Sequence, residues 1–436
     1  MKSKKVENPI IGIFVENMKK HKPELISPAG GWASLKAAVE AGADGVYFGV
    51  KGINMRHFAD NFDVLEIKKV MSYLKEHGKK GYLALNTIIM NEELKKVDSI
   101  LKKAKAAGVD AVILWDGAAF NLARKYRLRV HLSTQASVSN VEALSFYSKQ
   151  GVKRTVLARE CTLTDITTII KEKKKRKITC EIEAFIHGAM CVSISGRCFL
   201  SSYTFNKSAN KGQCLQPCRR EYTIKGREGE AEYIIGEDYV LSPRDLCTID
   251  FIDELIEAGI NAFKIEGRIR PPDYIKEVTA CYREAIDAYY DGCLTLKLKG
   301  QLKERLGQVF NRGFSSGFYL GPPKEPQSIG LEHQYQKAYL GEVGKIYKKI
   351  NVAEIIIRKE SLKIGDDIIF IGKKTPALKT RIEEMQIQHA HVKTASKGEK
   401  VGVRLPFEVR PKDKVFLWRK KDEMLQRHQK GASEHL

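Results

Sequence analysis

The chain has 436 residues, of which 43% are hydrophobic and 29% are charged, so it can form two or three folded domains and is not a disordered protein. It carries 75 Lys and Arg against 53 Asp and Glu, and the net charge of +22 favours a polyanionic partner such as nucleic acid. A solvated basic surface without such a partner is the alternative.

The sequence contains no apolar run long enough to span a membrane, and its first residues lack the apolar core and cleavage site of a signal peptide. We therefore expect a cytoplasmic protein without a membrane partner, in which cysteines stay reduced. The nine cysteines are an odd number, which also argues against a complete disulfide framework.

Residues 24 to 188 alternate short apolar runs with amphipathic helical stretches, as expected for parallel strands buried on both faces. The predicted strands are ELISPA, GVYFGV, YLALNT, AVILWD, VHLSTQ, TVLARE and CEIEAFIHG, and an eighth, AFKIEGR, comes later. Eight strand and helix units predict an α/β fold, a TIM-type (β/α)8 barrel over residues 24–325. A Cys-rich insertion at 189–250 follows the seventh strand, and residues 1–23 form an N-terminal extension.

The last quarter of the chain has a different pattern. From about residue 332, apolar residues recur with period two between Gly, Asp and Lys turns, which predicts a small C-terminal antiparallel β-barrel over 326–420 and a tail over 421–436. Its excess of Lys and Arg suits RNA binding, and a purely structural role is the alternative.

Polar side chains follow most of the predicted barrel strands. The chemistry of TIM barrels lies at the C-terminal ends of the strands, so these residues are candidates for function. They are Tyr47, Asn86, Asp116, Thr134, Gln135, Arg159, Glu160, Glu183, His187, Lys264, Glu266 and Arg268. Some could merely cap the following helix, and Asp116 directly precedes one.

Four cysteines lie close together in the insertion. Six residues separate Cys191 from Cys198, fifteen separate Cys198 from Cys214, and three separate Cys214 from Cys218. In a reduced compartment, four thiols in one short segment indicate a metal centre, either structural zinc or an iron–sulfur cluster. Cys247 is a fifth candidate, and the remaining cysteines are assigned to packing. Arginines flank the thiols and could offset the negative charge of a thiolate-bound cluster or hold an anionic substrate, namely Arg197, Arg219 and Arg220.

The segment EAFIHGAMCVSISGRCFLSS closely resembles the signature of peptidase family U32, the collagenase-like group. Supporting phrases run along roughly residues 24 to 420: ELISPAG, GADGVYFG, HLSTQAS, LARE, GQCLQPCRREY, SPRDLC, FKIEGRIR and FNRGFSSGFYLG. Bacterial relatives include oxygen-independent hydroxylation proteins. One branch hydroxylates the wobble uridine of tRNA at carbon five with prephenate, another a cytidine of ribosomal RNA, and a third pair acts in ubiquinone synthesis.

The resemblance implies a 4Fe-4S cluster on Cys191, Cys198, Cys214 and Cys218, with Cys247 as alternate fourth ligand because one ubiquinone-branch protein has its last ligand further downstream. The CLQPCRR phrase and the C-terminal barrel together place the chain nearest the tRNA branch. The implied partners are tRNA or rRNA and a small carboxylate co-substrate, prephenate. The oligomeric state stays open.

Chemical roles within this reaction follow from residue type. We expect Glu183, Glu160 and Glu266 to act as acids or bases and His187 to transfer protons. Arg159, Lys264 and Arg268 would hold the carboxylates of the co-substrate, and Asn86, Gln135 and Tyr47 complete the substrate-binding set.

Two other functions remain open. A peptidase needs an activated nucleophile, but the sequence has no HExxH helix and no GxSxG elbow, and a Cys191–His187 pair four residues apart is a weak indication of one. The third possibility is an RNA-binding protein with a structural metal.

Overall fold

The structure, a computed structural model, describes residues 22–56, 59–220, 222–225, 232–235, 241–322 and 334–420. The predicted tail, the predicted N-terminal extension except for its last two residues, and the predicted domain boundary near residue 325 lie outside the described residues.

The strands up to residue 322 are, in chain order, β1 (Glu24–Ala29), β2 (Gly45–Gly49), β3 (Lys80–Ala84), β4 (Ala111–Leu114), β5 (Val130–Leu132), β6 (Arg154–Val156), β7 (Glu181–Gly188), β8 (Tyr222–Lys225), β9 (Glu232–Ile235), β10 (Asp245–Cys247), β11 (Ala262–Ile265) and β12 (Phe314–Ser315). Strands β1 to β7 pair in parallel in chain order, and β11 closes the ring. Ala262 of β11 is in register with Glu24 of β1 on one side and Glu183 of β7 on the other. The predicted TIM-type barrel is confirmed.

The helices are α1 (Trp32–Glu40), α2 (Ile67–Glu76), α3 (Leu94–Ala107), α4 (Gly117–Lys125), α5 (Val141–Lys149), α6 (Leu163–Lys175), α7 (Leu200–Phe205), α8 (Ile252–Glu257), α9 (Pro272–Tyr290) and α10 (Leu296–Gln308). Local sequence fixes where several of them begin. Thr162 and Asp165 form a capping box at the start of α6. Asp116 accepts hydrogen bonds from the Ala118 and Ala119 amides. It therefore caps α4, which was the alternative to a functional role for this residue.

The barrel core depends on strands that are apolar on both faces. All five residues of β2 are buried, because their side chains alternate between the barrel interior and the surrounding helices. The interior itself is partly polar, and Glu183, Arg154 and Lys264 lie buried within it. Charged side chains are therefore present inside the barrel as well as at its mouth.

The C-terminal strands are β13 (Tyr335–Tyr347), β14 (Val352–Ile357), β15 (Leu362–Lys363), β16 (Asp367–Ile371), β17 (Leu378–Arg381), β18 (Met385–Ile387), β19 (Ala390–His391), β20 (Thr394–Ala395), β21 (Lys400–Arg404) and β22 (Lys414–Lys420). Eight of them form one antiparallel sheet, in the order β17-β16-β22-β13-β14-β21-β18-β19, and β15 pairs with β20. The sheet curls around its own apolar core, which confirms the predicted antiparallel architecture.

The curled sheet contacts the TIM barrel through α9. Lys337 Nζ lies 2.7 Å from Asp273 Oδ1. Trp418 stacks on Tyr335 with ring centroids 5.7 Å apart, and Trp418 is part of the apolar core of the TIM barrel. No helix in the described ranges has both the length and the apolar character needed to cross a membrane.

The Cys-rich insertion leaves the barrel at the end of β7 and contains α7, the β8–β9 pair and β10, which pairs antiparallel with β7. Between residues 191 and 218 the buried apolar side chains are few, and Ala209 and Pro217 account for them in this described stretch. The insertion is therefore held by polar contacts more than by a core of its own.

Candidate active site at the barrel mouth

A single cavity of about 220 Å³ opens at the C-terminal ends of the barrel strands, between the barrel and the insertion. From the strands and the loops after them it is lined by Tyr47, Asn86, Gln135, Arg159, Glu160, Lys264, Glu266 and Arg268, and from the insertion by Cys191, Cys198, Cys214 and Cys218. The fold therefore places most of the predicted polar ring and the four cysteines around one space, whereas Asp116, Glu183 and His187 do not line it.

Lys264 projects from β11 into the bottom of this cavity. Its Nζ donates a 2.7 Å hydrogen bond to Glu183 Oε1 and lies 4.4 Å from the centroid of the Tyr47 ring. Glu183 is fully buried one level deeper, with its Oε2 3.6 Å from Arg154 NH1, and it is not part of the cavity wall. The carboxylate that we expected to act as an acid or base therefore serves as the buried counter-charge of Lys264.

Glu266 is held by Arg56, which lies in the loop after β2. Arg56 NH2 and Nε donate to Glu266 Oε1 at 2.7 and 3.1 Å. Burial alone would raise the pKa of Glu266, but the positive charges of Arg56 and Arg159 outweigh it and lower this pKa to about 2. Glu266 is therefore ionised at neutral pH and is a weak base, while burial raises the pKa of the neighbouring Tyr47 phenol and keeps it protonated.

Arg159 and Arg268 face the cavity, and within the described ranges neither forms an ion pair with a carboxylate. Arg159 NH1 donates to the Ala189 carbonyl at 2.7 Å, and Arg268 NH1 donates to Asn54 Oδ1 at 3.2 Å. Burial lowers the pKa of Arg268 to about 10, so the guanidinium remains charged at neutral pH. Both side chains are therefore placed to bind an anion.

Three further arginines line the side of the cavity next to the cysteines: Arg219, Arg270 and Arg312. Arg219 ties the cysteine segment to the first and last parts of the insertion, since NH2 donates to the Met190 carbonyl at 2.5 Å and NH1 to the Pro243 carbonyl at 2.6 Å. Arg312 NH1 lies 3.6 Å from the buried Asp245. With Arg56, Arg159, Lys264 and Arg268, cations outnumber the lining carboxylates Glu160 and Glu266.

Two glycines let the insertion approach the barrel closely. Gly188, with φ of 108°, ends β7, and a Cβ there would lie 2.5 Å from the Glu266 carbonyl oxygen. Gly212, with φ of 79°, brings the insertion against the loop after β2, where a Cβ would lie 2.2 Å from the Asn54 carbonyl oxygen. A side chain at either position would push the cysteine segment away from the cavity.

Cys191, Cys198, Cys214 and Cys218 are free thiols that line this cavity. Backbone amides donate to two of them: Leu200 N lies 3.3 Å from Cys198 Sγ and Gln216 N lies 3.4 Å from Cys214 Sγ. Burial raises the pKa of the Cys214 and Cys218 thiols, and the negative charge of neighbouring cysteine thiolates raises it further. A bound cation would reverse this effect.

No three His, Cys, Asp or Glu side chains among the described residues are arranged to hold a metal ion. A cluster of four irons makes a different demand, because each iron takes one thiolate and the ligands surround a space instead of converging on a point. Cys191, Cys198, Cys214 and Cys218 line one cavity together with arginines, and backbone amides donate to the sulfurs of Cys198 and Cys214.

Besides Glu183, two further predicted site residues lie away from the cavity. Cys247 is buried with its Sγ 3.8 Å from the Tyr282 hydroxyl, and burial raises its pKa to about 11. His187 is also buried, with Nδ1 3.3 Å from the same hydroxyl and its ring against Tyr274 and Phe314. The structure therefore does not bring His187, our expected proton-transfer group, to the other site residues.

The burial of His187 predicts a pH-dependent stability. Burial, assisted by the charge of Arg270, lowers the pKa of His187 to about 3, against about 6.5 in the unfolded chain. A lowered pKa gives stability that is complete above pH 6.5 and is lost as the pH falls from 6.5 towards 3. Between pH 7 and pH 5, urea unfolding should therefore show a loss about 2 kcal/mol larger for wild type than for His187→Gln. Between pH 7 and 8 the difference between the two proteins should stay constant. Equal losses on acidification would show that the folded imidazole binds protons normally.

Two arginines of the site, Arg56 and Arg270, were not predicted from the sequence. Arg56 stands in the loop INMRHF after the second strand, and Arg270 in FKIEGRIR after the last barrel strand. The same rule that selected Arg268, a polar residue shortly after a barrel strand, could have found both.

A TIM barrel whose mouth joins a cationic pocket to a four-cysteine insertion has the architecture of an enzyme, and comparison with known proteins assigns its family. The model for Peptidase family U32 matches residues 30–328, and the chain belongs to this family.

Three relatives illustrate its range. The chain is 45% identical over 401 residues to an uncharacterized protease of Methanocaldococcus jannaschii, covering 90% of this chain and 98% of the relative. It is 40% identical over 415 residues to a collagenase of Porphyromonas gingivalis, covering 92% and 99%. It is 35% identical over 359 residues to tRNA hydroxylation protein P1 of Bacillus subtilis, covering 80% and 84%.

Proposed function

We propose that this protein is an RNA-modifying enzyme that hydroxylates carbon five of the tRNA wobble uridine without molecular oxygen, using a 4Fe-4S cluster and prephenate. The observation that carries the proposal is the single cavity shared by the four cysteines and the cationic end of the barrel. The likeness to a tRNA hydroxylation protein supports the choice of RNA.

The charge of the cavity suits both proposed substrates. Prephenate carries two carboxylates, and arginine is well matched to planar carboxylate groups through paired hydrogen bonds. Arg159 and Arg268 are free to make such bonds because their present contacts are to a carbonyl and an amide oxygen. Lys264 at the bottom supplies a further charge that Glu183 keeps in place.

The RNA base would reach this cavity by leaving its stack. Enzymes that act on a base bind it unpaired and extruded, and they recognise its polar edge through hydrogen bonds. Asn86 and Gln135 present amide groups at the cavity wall, and Tyr47 adds a phenol. The exposed carboxylate of Glu160 at the rim is the accessible base for the proton that leaves carbon five.

The reaction replaces a C–H bond of uridine by a C–OH bond, which is an oxidation by two electrons. For the electrons to balance, the C–O bond to the hydroxyl group of the co-substrate would break, its oxygen would form the new bond to carbon five, and the co-substrate carbon would take up a hydrogen. The co-substrate is thereby reduced by two electrons, and no molecular oxygen is consumed. Cys191, Cys198, Cys214 and Cys218 would hold the cluster, which supplies redox or Lewis-acid chemistry beside the substrate.

The peptidase alternative is favoured by the names of several relatives, but no histidine among the described residues lines the cavity beside the cysteines. A thiol protease needs a base next to its cysteine. His187 turns away from Cys191 and contacts Tyr282 and the aromatic rings around it. Incubation of the purified protein with gelatin and collagen peptides checks this alternative directly.

Arg268→Ala should reduce hydroxylation because it removes a buried cation from the co-substrate pocket while leaving the cluster ligands untouched. Loss of a charged hydrogen-bonded contact of this kind predicts about a 10- to 100-fold fall in kcat/KM for prephenate. Anaerobic turnover with unmodified tRNA and prephenate, followed by mass spectrometry of nucleosides, measures it. The matched control is Arg176→Ala, which removes an exposed arginine beyond the end of α6. Wild-type activity in the Arg268 variant would remove Arg268 from the binding site, and absence of hydroxyuridine with wild-type protein would refute the proposed function.

A further inference from the structure

The rim of the cavity carries an unusual set of exposed apolar side chains. Phe199 is 64% exposed and Tyr203 is 86% exposed, with their ring centroids 6.2 Å apart. Both belong to the segment that begins with Cys198, and the next residues along it, Leu200 and Ser201, line the cavity. The two rings, here called the rim aromatics, are therefore exposed side chains directly next to, or two positions beyond, residues of the cavity wall.

Other exposed apolar residues surround the same entrance. Val192 is 45% exposed, Leu215 is 38% exposed and Ile269 is 48% exposed, and the first and last of these line the cavity. Large apolar side chains in water are tolerated singly, but a group of them around a pocket marks a surface that binds something. Because this group lies near the cavity, a molecule bound to it would adjoin the substrate in the cavity.

Arginines lie among these apolar side chains. The guanidinium of Arg220 lies 4.3 Å from the centroid of the Phe205 ring, which belongs to α7 like Tyr203. The guanidinium of Arg197 lies 5.7 Å from the centroid of the Trp115 ring. Both arginines are exposed. Aromatic faces together with cations that reach solvent are the combination that binds unpaired nucleotides, since bases stack on the rings and phosphates pair with the cations.

We propose that the rim aromatics, Phe199 and Tyr203, form a stacking platform for the unpaired RNA bases that flank the target base. This inference rests on the proposed function and names the form of RNA that the site accepts, a single-stranded loop. Two exposed rings provide stacking surface for one or two bases, and Arg197 and Arg220 lie where the adjoining phosphates pass. A duplex keeps its bases stacked on one another and leaves the rings without a partner.

The proposal is tested by binding, without turnover. Fluorescence anisotropy under anaerobic conditions compares a labelled 17-nucleotide stem-loop RNA that has a seven-base loop with a fully paired RNA of the same length. Phe199→Ala with Tyr203→Ala should weaken binding of the stem-loop by at least about 10-fold, because each lost stacking contact reduces affinity several-fold or more. Binding of the duplex should change less than about 2-fold, since it depends on phosphate contacts.

Control variants separate stacking from damage to the insertion. Tyr203→Phe keeps a ring and should bind the stem-loop like wild type, and Phe146→Ala removes an aromatic of similar exposure, 58%, from the distant helix α5. Because Phe199 is adjacent to Cys198, the iron content of each variant is measured, and Tyr203→Ala alone, five residues from Cys198, gives the same comparison with an undisturbed cysteine.

Several outcomes would overturn the platform. Equal stem-loop affinity in wild type and the double alanine variant would do so, as would an equal loss for loop and duplex or a wild type that binds neither RNA. A dimeric wild type that the double variant converts to monomers with unchanged RNA affinity would assign the surface to a protein partner instead. Loop binding that depends on the rings in a protein that forms no hydroxyuridine would keep the platform and refute the proposed function.

Discussion

Cys218→Ala should yield a folded protein that has lost its iron and its hydroxylation activity. The thiol lines the shared cavity together with Cys191, Cys198 and Cys214. Mutation of a residue that only supports a metal ligand typically reduces activity 10- to 100-fold, and removal of one of four thiolate ligands should reduce it further. Hydroxyuridine formation should therefore fall by more than about 100-fold. Iron and sulfide analysis with an absorption spectrum, after anaerobic purification, accompanies the activity measurement.

Two other cysteines provide the comparison. Cys293 is exposed and lies beyond α9, so Cys293→Ala should retain iron and activity. Cys247→Ala decides the identity of the fourth ligand, since this thiol is buried against Tyr282, away from the cavity, and should also keep its iron. Loss of iron from the Cys247 variant and its retention in the Cys218 variant would exchange their roles. Zinc in wild-type protein would replace the cluster by a structural site.

Glu183→Gln should lower the free energy of unfolding by about 3 to 5 kcal/mol, the effect of removing one partner from a buried ion pair. The side chain of Glu183 is 1% exposed, and Lys264, at 5%, depends on it for a counter-charge. The amide of glutamine preserves the shape and removes the charge, so Lys264 is left buried and unpaired. Urea unfolding at pH 7 measures the difference.

Glu181 is the matched control because it contacts Arg154, as Glu183 does, but is partly exposed to solvent. Its Oε2 lies 2.6 Å from Arg154 NH2, but its side chain is 45% exposed, so Glu181→Gln should cost less than about 1 kcal/mol. Adding Lys264→Met to Glu183→Gln should recover much of the lost stability by removing the stranded charge. Similar small losses in both single variants would mean that water reaches the barrel interior and screens Lys264.

The barrel and the gathering of its polar ring could be predicted because both depend on local patterns. Each strand is a short apolar run, several helices begin at a side-chain cap, and residues just past the strands meet at one end of any parallel barrel. Arg159, Glu266 and Arg268 were found in this way, and the cysteines by their proximity in sequence. Tyr47 and Lys264, which were expected after their strands, lie within β2 and β11.

The direction of His187 could not be predicted. Along β7, simple alternation would turn His187 to the same side as Glu183 and Phe185. A register shift between Lys264 and Ile265 of β11 places Ile265 opposite His187 and leaves one extra residue on β7. The alternation is broken there, and the imidazole packs outside the barrel against Tyr282. Such a bulge depends on pairing with a strand about 80 residues away.

The pairing of Arg56 with Glu266 is another long-range feature. The two residues are separated by 210 positions in sequence and meet only because β2 and β11 end at the same mouth. Nothing near Arg56 in the sequence shows that its partner is a carboxylate, and nothing near Glu266 shows that surrounding arginines lower its pKa. The role of Glu266 as an ionised anchor therefore required the fold.

The scarcity of buried apolar side chains in the cysteine segment bears on how the protein matures. The barrel and the curled sheet each contain an extensive apolar core, whereas residues 191 to 218 contribute little to either. Under the proposed function, this distribution predicts that the scaffold folds before a cluster is inserted. Loss of the cluster would then disturb this one segment and leave the two apolar cores intact.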